Sequence, residues 1–178
     1  MQFETWPYTA GLAFVRALVA RGGEKAVNDA FKNLPVSTEQ ILHPDRYPND
    51  LPVPVGVPNL APRLGPGWAD LDVQGVGEEW LSLLLGLRID QTTAAAAAAG
   101  WGGGIYRAWS NGDRVAVVMS TVWDTAQDAS EFAAAMQSWI AAGGGQQATV
   151  EPVDGARVRV LFASDARTLS TLEAAVSS

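Results

Sequence analysis

A chain of 178 residues is long enough to bury a real core, in one domain or in two small packed ones. Its net charge of −7, from 19 acidic against 12 basic residues, argues against nucleic acid and against an anionic membrane surface, both of which call for clustered Lys and Arg. With no cysteine and one histidine, disulfides, thiolate metal sites, a Cys nucleophile and a histidine metal cluster are excluded, and no metal or other cofactor is expected.

The opening MQFETWPYTA has neither a basic n-region nor an apolar h-region, so no signal peptide is expected. The longest apolar stretches, residues 11–20 and 78–89, are too short for a membrane span. Leu12, Val15, Leu18 and Val19 follow helical spacing, with Phe14 beside them, up to a stop at Gly22 and Gly23. Ala26, Val27, Ala30, Phe31 and Leu34 predict a second amphipathic helix ending before Pro35. Ser37 and Gln40 have capping-box spacing, which predicts a short third helix stopped by Pro44. Together these form a compact helical hairpin with an added turn.

Residues 44–68 hold most of the ten prolines, which excludes regular helix and favours extended backbone. Val53, Val55 and Val57 between the prolines mark an ordered arm, because a disordered linker is poor in such residues. A helix entered near Gly77 puts Trp80, Leu83, Leu84 and Leu87 on one face. Ala94 to Ala99, capped by Asp90 and closed by Gly100, predict a closely packed helix. GWGGG at 100–104 reads as a glycine turn, without the spacing or Lys of a phosphate loop.

The last third reads β-β-α-β-β-α. Four Val-rich strands lie near 104–109, 114–123, 148–153 and 157–164, with turns at Asn111–Asp113 and Asp154–Gly155. Each hairpin is followed by a helix with Asp and Thr at its start. The expected class is α+β. A helical subdomain (residues 1–100, with the arm at 44–68) packs on a two-layer sandwich (residues 101–178), whose four-stranded antiparallel sheet carries helices on one face.

Little in the sequence announces a chemistry. Ser and Asp do not converge on the one histidine, and a G-x-S-x-G elbow is absent. Glu78–Glu79 and Asp45–Asp50 read as solvated acids. His43 has two readings. In one it is an acid/base or electrostatic group helped by Tyr47 and by Glu39 one turn before it. In the other, which the local pattern favours, it meets the dipole and free carbonyls of a helix C-terminus, with its hydrogen-bond partners in the Pro-rich arm. Trp6, Trp68, Trp80 and Trp101 are expected in the core; Trp6, Tyr47, Trp68 and Trp101 are the candidates for a binding surface.

PYTAGLAFV, GGEKAVNDAF, STEQILHPDRY, the Val-Pro arm, GWGGGIYRAW and TVWDTAQDASEFAAA together cover most of residues 1–140. In these pieces, STEQILHP being the most distinctive, the chain resembles a part of bacterial and archaeal gluzincin-type metallopeptidase-like proteins, which are often secreted or lipid-anchored. In that family an H-E-x-x-H helix and a later acidic residue hold zinc, both upstream of the equivalent of Pro7, and neither is present here. The resemblance therefore implies a peptidase-like ancestry without a zinc site, and an extracytoplasmic location. It also implies that Tyr8 and His43 would stand near the zinc of a complementary chain.

The expected function is a non-catalytic protein-binding or assembly module with a protein partner or a homo-oligomeric state. The alternative is a fragment of a zinc-dependent peptidase whose H-E-x-x-H half lies on a missing segment or another chain. A third possibility is a small-molecule carrier using the concave side of the terminal sheet.

Overall fold

The computed structural model describes residues 2–144 and 147–177. Helix α1 (Gln2–Lys32) is two helices joined at Gly22 and Gly23; the latter has φ +62°, a conformation open to glycine. The two halves fold against each other around Phe14, Leu18 and Ala30, with Tyr47 added from the following turn. The inward face of the first half is thus Phe14 and Leu18. Leu12, Val15 and Val19, expected with them, face solvent. Helix α2 (Thr38–Leu42) starts where Ser37 Oγ accepts the Gln40 N–H at 3.2 Å. Gln40 Oε1 in turn accepts the Val36 N–H, one residue further back than a regular capping box.

The arm is extended over residues 50–60 and lies across the sheet. It is tied there by Val53 N–H to the Gly102 carbonyl (2.7 Å), Arg107 Nη1 to the Val57 carbonyl (3.3 Å) and Trp109 Nε1 to Asn59 Oδ1 (2.9 Å). The expectation that this stretch holds no regular helix is corrected: Ala61–Leu64 form a one-turn helix, α3. Pro62 sits in its first turn, where the missing N–H costs nothing.

The rest is α+β. Strand β1 (Ala69–Gly75), helices α4 (Glu78–Gly86) and α5 (Gln91–Ala98), the hairpin β2 (Trp101–Asn111) and β3 (Arg114–Trp123), helix α6 (Ala126–Ala142), the pair β4 (Gln147–Val150) and β5 (Arg157–Ala163), and helix α7 (Ala166–Ser177) follow in order. The sheet is antiparallel with order β1-β2-β3-β5-β4, so it has five strands where the repeat predicts four. Its extra strand, β1, comes from before residue 101 and bulges between Asp70 and Asp72. The short polar ADLDVQG pattern, exposed along almost its whole length, hides it from a hydrophobicity reading.

The two repeat helices lie on opposite faces of the sheet. Met119, Val158 and Val160 join α4, α5 and α6 in one core with Phe132 and Met136. Val118 and Leu161, pointing the other way, join α3 and α7 in a second core with Trp109, Leu60 and Leu172. The strands are apolar on both sides, VVM in β3 and VLF in β5, and a sheet of that kind needs cover on both faces.

The GWGGG segment, expected as a turn, is the start of β2. Its glycines serve close approach: a Cβ at Gly103 would overlap the Val53 carbonyl oxygen, and one at Gly104 would lie 2.6 Å from Val76 Cγ2. Gly103→Ala is therefore expected to push the arm off β2 and to destabilise the protein by about 1–3 kcal/mol. Urea unfolding measures the loss, and limited proteolysis within residues 50–60 should accelerate; unchanged values in both would contradict this packing.

Candidate functional site

Two carboxylates are buried where α2 meets α4. Glu39, in the first turn of α2, and Glu78, the first residue of α4, are 2% and 4% exposed. Burial of a carboxylate is costly without a partner, and each has one basic neighbour. Arg46, from the turn after α2, places Nη1 against Glu39 Oε1 and reaches Asp124 Oδ2 at 3.0 Å and Asp50 Oδ2 at 3.4 Å. His43 Nε2 lies 2.9 Å from Glu78 Oε1, while Glu78 Oε2 has no hydrogen-bond partner among the described residues. Beside it, the Glu79 N–H donates to Thr38 Oγ1 at 3.4 Å, and its carboxylate accepts from Trp6.

Local structure fixes this arrangement. The buried Gln40 side chain donates to the Asp50 carbonyl at 2.7 Å, which folds the 44–50 turn back onto α2. His43 closes α2 with its own N–H on the Glu39 carbonyl at 2.7 Å. Gly77 brings α4 against α2, since a Cβ there would collide with Thr38 Oγ1. Asp124 follows β3 and is held by its N–H on the Gly100 carbonyl at 2.8 Å.

Burial pushes the Glu39 carboxyl up to about 7, against the attraction of Arg46 and with the repulsion of Asp50, Asp124 and Glu78. Burial also raises Glu78, opposed by the bond from His43, and raises Glu79, with Glu78 adding to it. Arg46 loses from its partial burial but gains more from Glu39, Asp124 and Asp50, so its guanidinium stays firmly charged. The asymmetry within the Glu39–Arg46 pair follows exposure. The glutamate side chain is 3% exposed and bears the desolvation, whereas the arginine keeps 30% of its surface in water. Such a cluster can hold a proton near neutrality and orient an imidazole. Among the described residues no group of His, Asp and Glu is arranged for a metal ion.

His43 is therefore part of this cluster, with a partner the sequence reading did not give it: Glu78 on α4, in place of Tyr47, Glu39 or an arm residue. Glu78–Glu79, expected in solvent, are drawn inward. Tyr47 is buried in the hairpin, its hydroxyl donating to the Asn33 carbonyl, its ring edge-on to Phe14. Tyr8 stands in solvent, 80% exposed, and among the described residues it shares no hydrogen-bond partner with His43. Trp68 packs against the α7-side core with Arg114 over its ring. Trp101 is in the α6-side core, and its Nε1 is buried without a partner among the described residues. It lines a cleft of about 410 Å³ between Pro52–Val55, Val36–Thr38 and Gly75–Gly77. Arg46 and Asp124 went unnoticed in the sequence. The one available signal was Arg46 as a lone cation among the acids of HPDRYPND.

Residues 68–174 match the model of a family described as Domain of unknown function (DUF8575). This chain belongs to that family. The DUF8575 match begins one residue before β1 and ends within α7, so it takes in all five strands and leaves the helical hairpin and most of the arm before it. No curated protein and no solved structure matches the chain. The DUF8575 description gives no link to gluzincin-type metallopeptidases.

Among the described residues no helix is long and apolar enough to cross a membrane.

An acid whose pKa is raised by folding keeps its proton to higher pH in the native state than in the unfolded chain. Stability then falls as pH rises from about 4.5 towards about 7 and levels off above it. Thermal unfolding across that window should show the fall, and Glu39→Gln should flatten it, leaving only what Glu78 and Glu79 add. An equally steep slope in the variant would refute the assignment to Glu39.

Proposed function

We propose that this chain is a non-catalytic protein-binding or assembly module and that the helical hairpin provides its binding surface. One observation carries the reading. Helix α1 is apolar on both sides: Phe14 and Leu18 fill the hairpin's own core, while Tyr8, Leu12, Val15 and Val19 form a second stripe in solvent. A surface helix normally turns charged residues outward, and contiguous exposed apolar surface of this kind marks interaction sites. The stripe runs on through Val15 into a wholly apolar groove lined by Val27, Phe31 and Leu34. The acidic balance of the chain fits a protein partner better than nucleic acid.

A photo-reactive amino acid at position 12, introduced in the native host, is expected to form a covalent adduct with a protein, with none from the exposed polar position 131 on α6. Equal adducts at both positions, or none, would rule the reading out.

A second reading has its own observation. A buried carboxylate holding a half-exposed imidazole, as Glu78 holds His43, is an arrangement that orients a histidine for proton transfer. It supports the chain being one part of a zinc-dependent peptidase completed by an H-E-x-x-H segment elsewhere. Recombination with such a segment should restore hydrolysis that His43→Ala or Tyr8→Phe lowers; hydrolysis undiminished in both variants would dismiss it.

A further inference from the structure

We infer that the cleft beside Trp101 binds a small uncharged molecule whose carbonyl oxygen accepts a hydrogen bond from the Trp101 indole N–H. The inference goes beyond the assembly reading and makes no use of the face of α1. The cleft, about 410 Å³, lies between the start of α2, the extended arm and the end of β1 beside β2. That volume is in the range of small-ligand sites.

Trp101 is the polar group that points to a ligand. Of the four buried tryptophans, three have satisfied indoles: Trp109 donates to Asn59 Oδ1, Trp123 to Thr121 Oγ1 and Trp139 to the Leu84 carbonyl. Trp101 is 4% exposed, yet its Nε1 has no acceptor among the described residues. A buried donor left in this way calls for an explanation. Nε1 stands 3.1 Å from where a Cβ on Gly104 would lie, with Val76 Cγ2 beside the same point. Gly104 and Val76 both line the cleft, so the N–H sits at its floor, next to the space that a side chain at 104 would fill.

The walls decide the class of ligand. Ser37 and Thr38 are the other polar side chains on them. Their hydroxyl oxygens already accept the Gln40 N–H at 3.2 Å and the Glu79 N–H at 3.4 Å, which leaves each O–H proton to donate. The cleft therefore offers donors, and no carboxylate or amide side chain is among the described residues that line it. It is lined by no charged side chain either, so an ionised ligand would leave water without a counter-charge. Glu78 and Glu79, which follow Gly77 in the chain, oppose an anion further. Val36, Val53 and Ile105 give apolar surface for the rest of the molecule, the first two being exposed. A neutral ketone, ester or amide meets these conditions; a carboxylic acid or an amine does not.

The Trp101 indole proton has its own NMR signal, identified by its loss in Trp101→Phe. Cyclohexanone and N-methylpyrrolidone are the probes, with cyclohexanecarboxylate and cyclohexylammonium as charged comparisons. Both neutral carbonyls should move the Trp101 signal downfield, saturating with a Kd of about 1–30 mM, as befits molecules of about seven non-hydrogen atoms. The two ions should bind at least about tenfold more weakly. Val36→Trp, at an exposed position on the cleft wall, should keep the unfolding temperature and weaken cyclohexanone at least about tenfold by filling the cleft. Trp101→Phe should weaken it as much, read from the Ile105 methyl signals; should that variant not fold, Val36→Trp decides. No saturable shift of the Trp101 signal with either neutral carbonyl would overturn the inference. So would undiminished binding in Val36→Trp, or a carboxylate bound as tightly as the ketone.

Discussion

The attachment of the helical hairpin to the sheet depends on two buried carboxylates and their partners. Glu39 with Arg46 and Glu78 with His43 join α2, the turn after it, the start of α4 and the end of β3. Removing Arg46 or His43 would leave a carboxylate without its counter-charge in a place water barely reaches, which is why the arrangement tolerates little change. The cost of burying Glu39 is visible in its carboxyl, lifted to about 7 in spite of Arg46. Its consequence is positional: with the hairpin anchored through α2, the outer face of α1 is carried away from the sheet and left without cover from its own chain.

A second constraint comes from glycine. The arm can lie on β2 only because Gly103 lacks a side chain, Val76 can pack on β2 only because Gly104 does, and α4 can approach α2 only because Gly77 does. These backbone contacts, with the Asn59–Trp109 bond, cover the sheet face that α7 alone would leave partly open. The DUF8575 match starts at Trp68, so the five strands fall within the match while the hairpin and the arm's extended stretch lie before it.

Much of the fold was legible in the sequence, for reasons that differ by element. Gly22–Gly23, Ser37 with Gln40, Asp90 and Thr125 each act through local backbone chemistry, and the helices begin and end where those residues require. The β-β-α-β-β-α order followed from Val-rich strands and the two Gly turns. The pattern failed where tertiary contact decides. β1 is polar and short, and it exists because β2 offers it an edge. The glycines of β2 look like a loop until the arm is placed over them. The two-sided placement of α6 and α7 needed the alternation in β3 and β5 to be read as apolar on both faces. For the site, the helix-end position of His43 was readable, but its bond to Glu78 spans 35 residues and no local spacing encodes it. The helical periodicity of α1 was likewise correct, yet it could not say which apolar positions point inward.

The central claim is that the exposed apolar face of α1 binds a protein partner. Affinity capture from a host extract, with the unmodified chain and Leu12→Glu side by side, tests it most directly. A protein held by the unmodified chain and lost in Leu12→Glu, with the helix content of the two alike, is the expected result. The same proteins captured equally by both chains would contradict it.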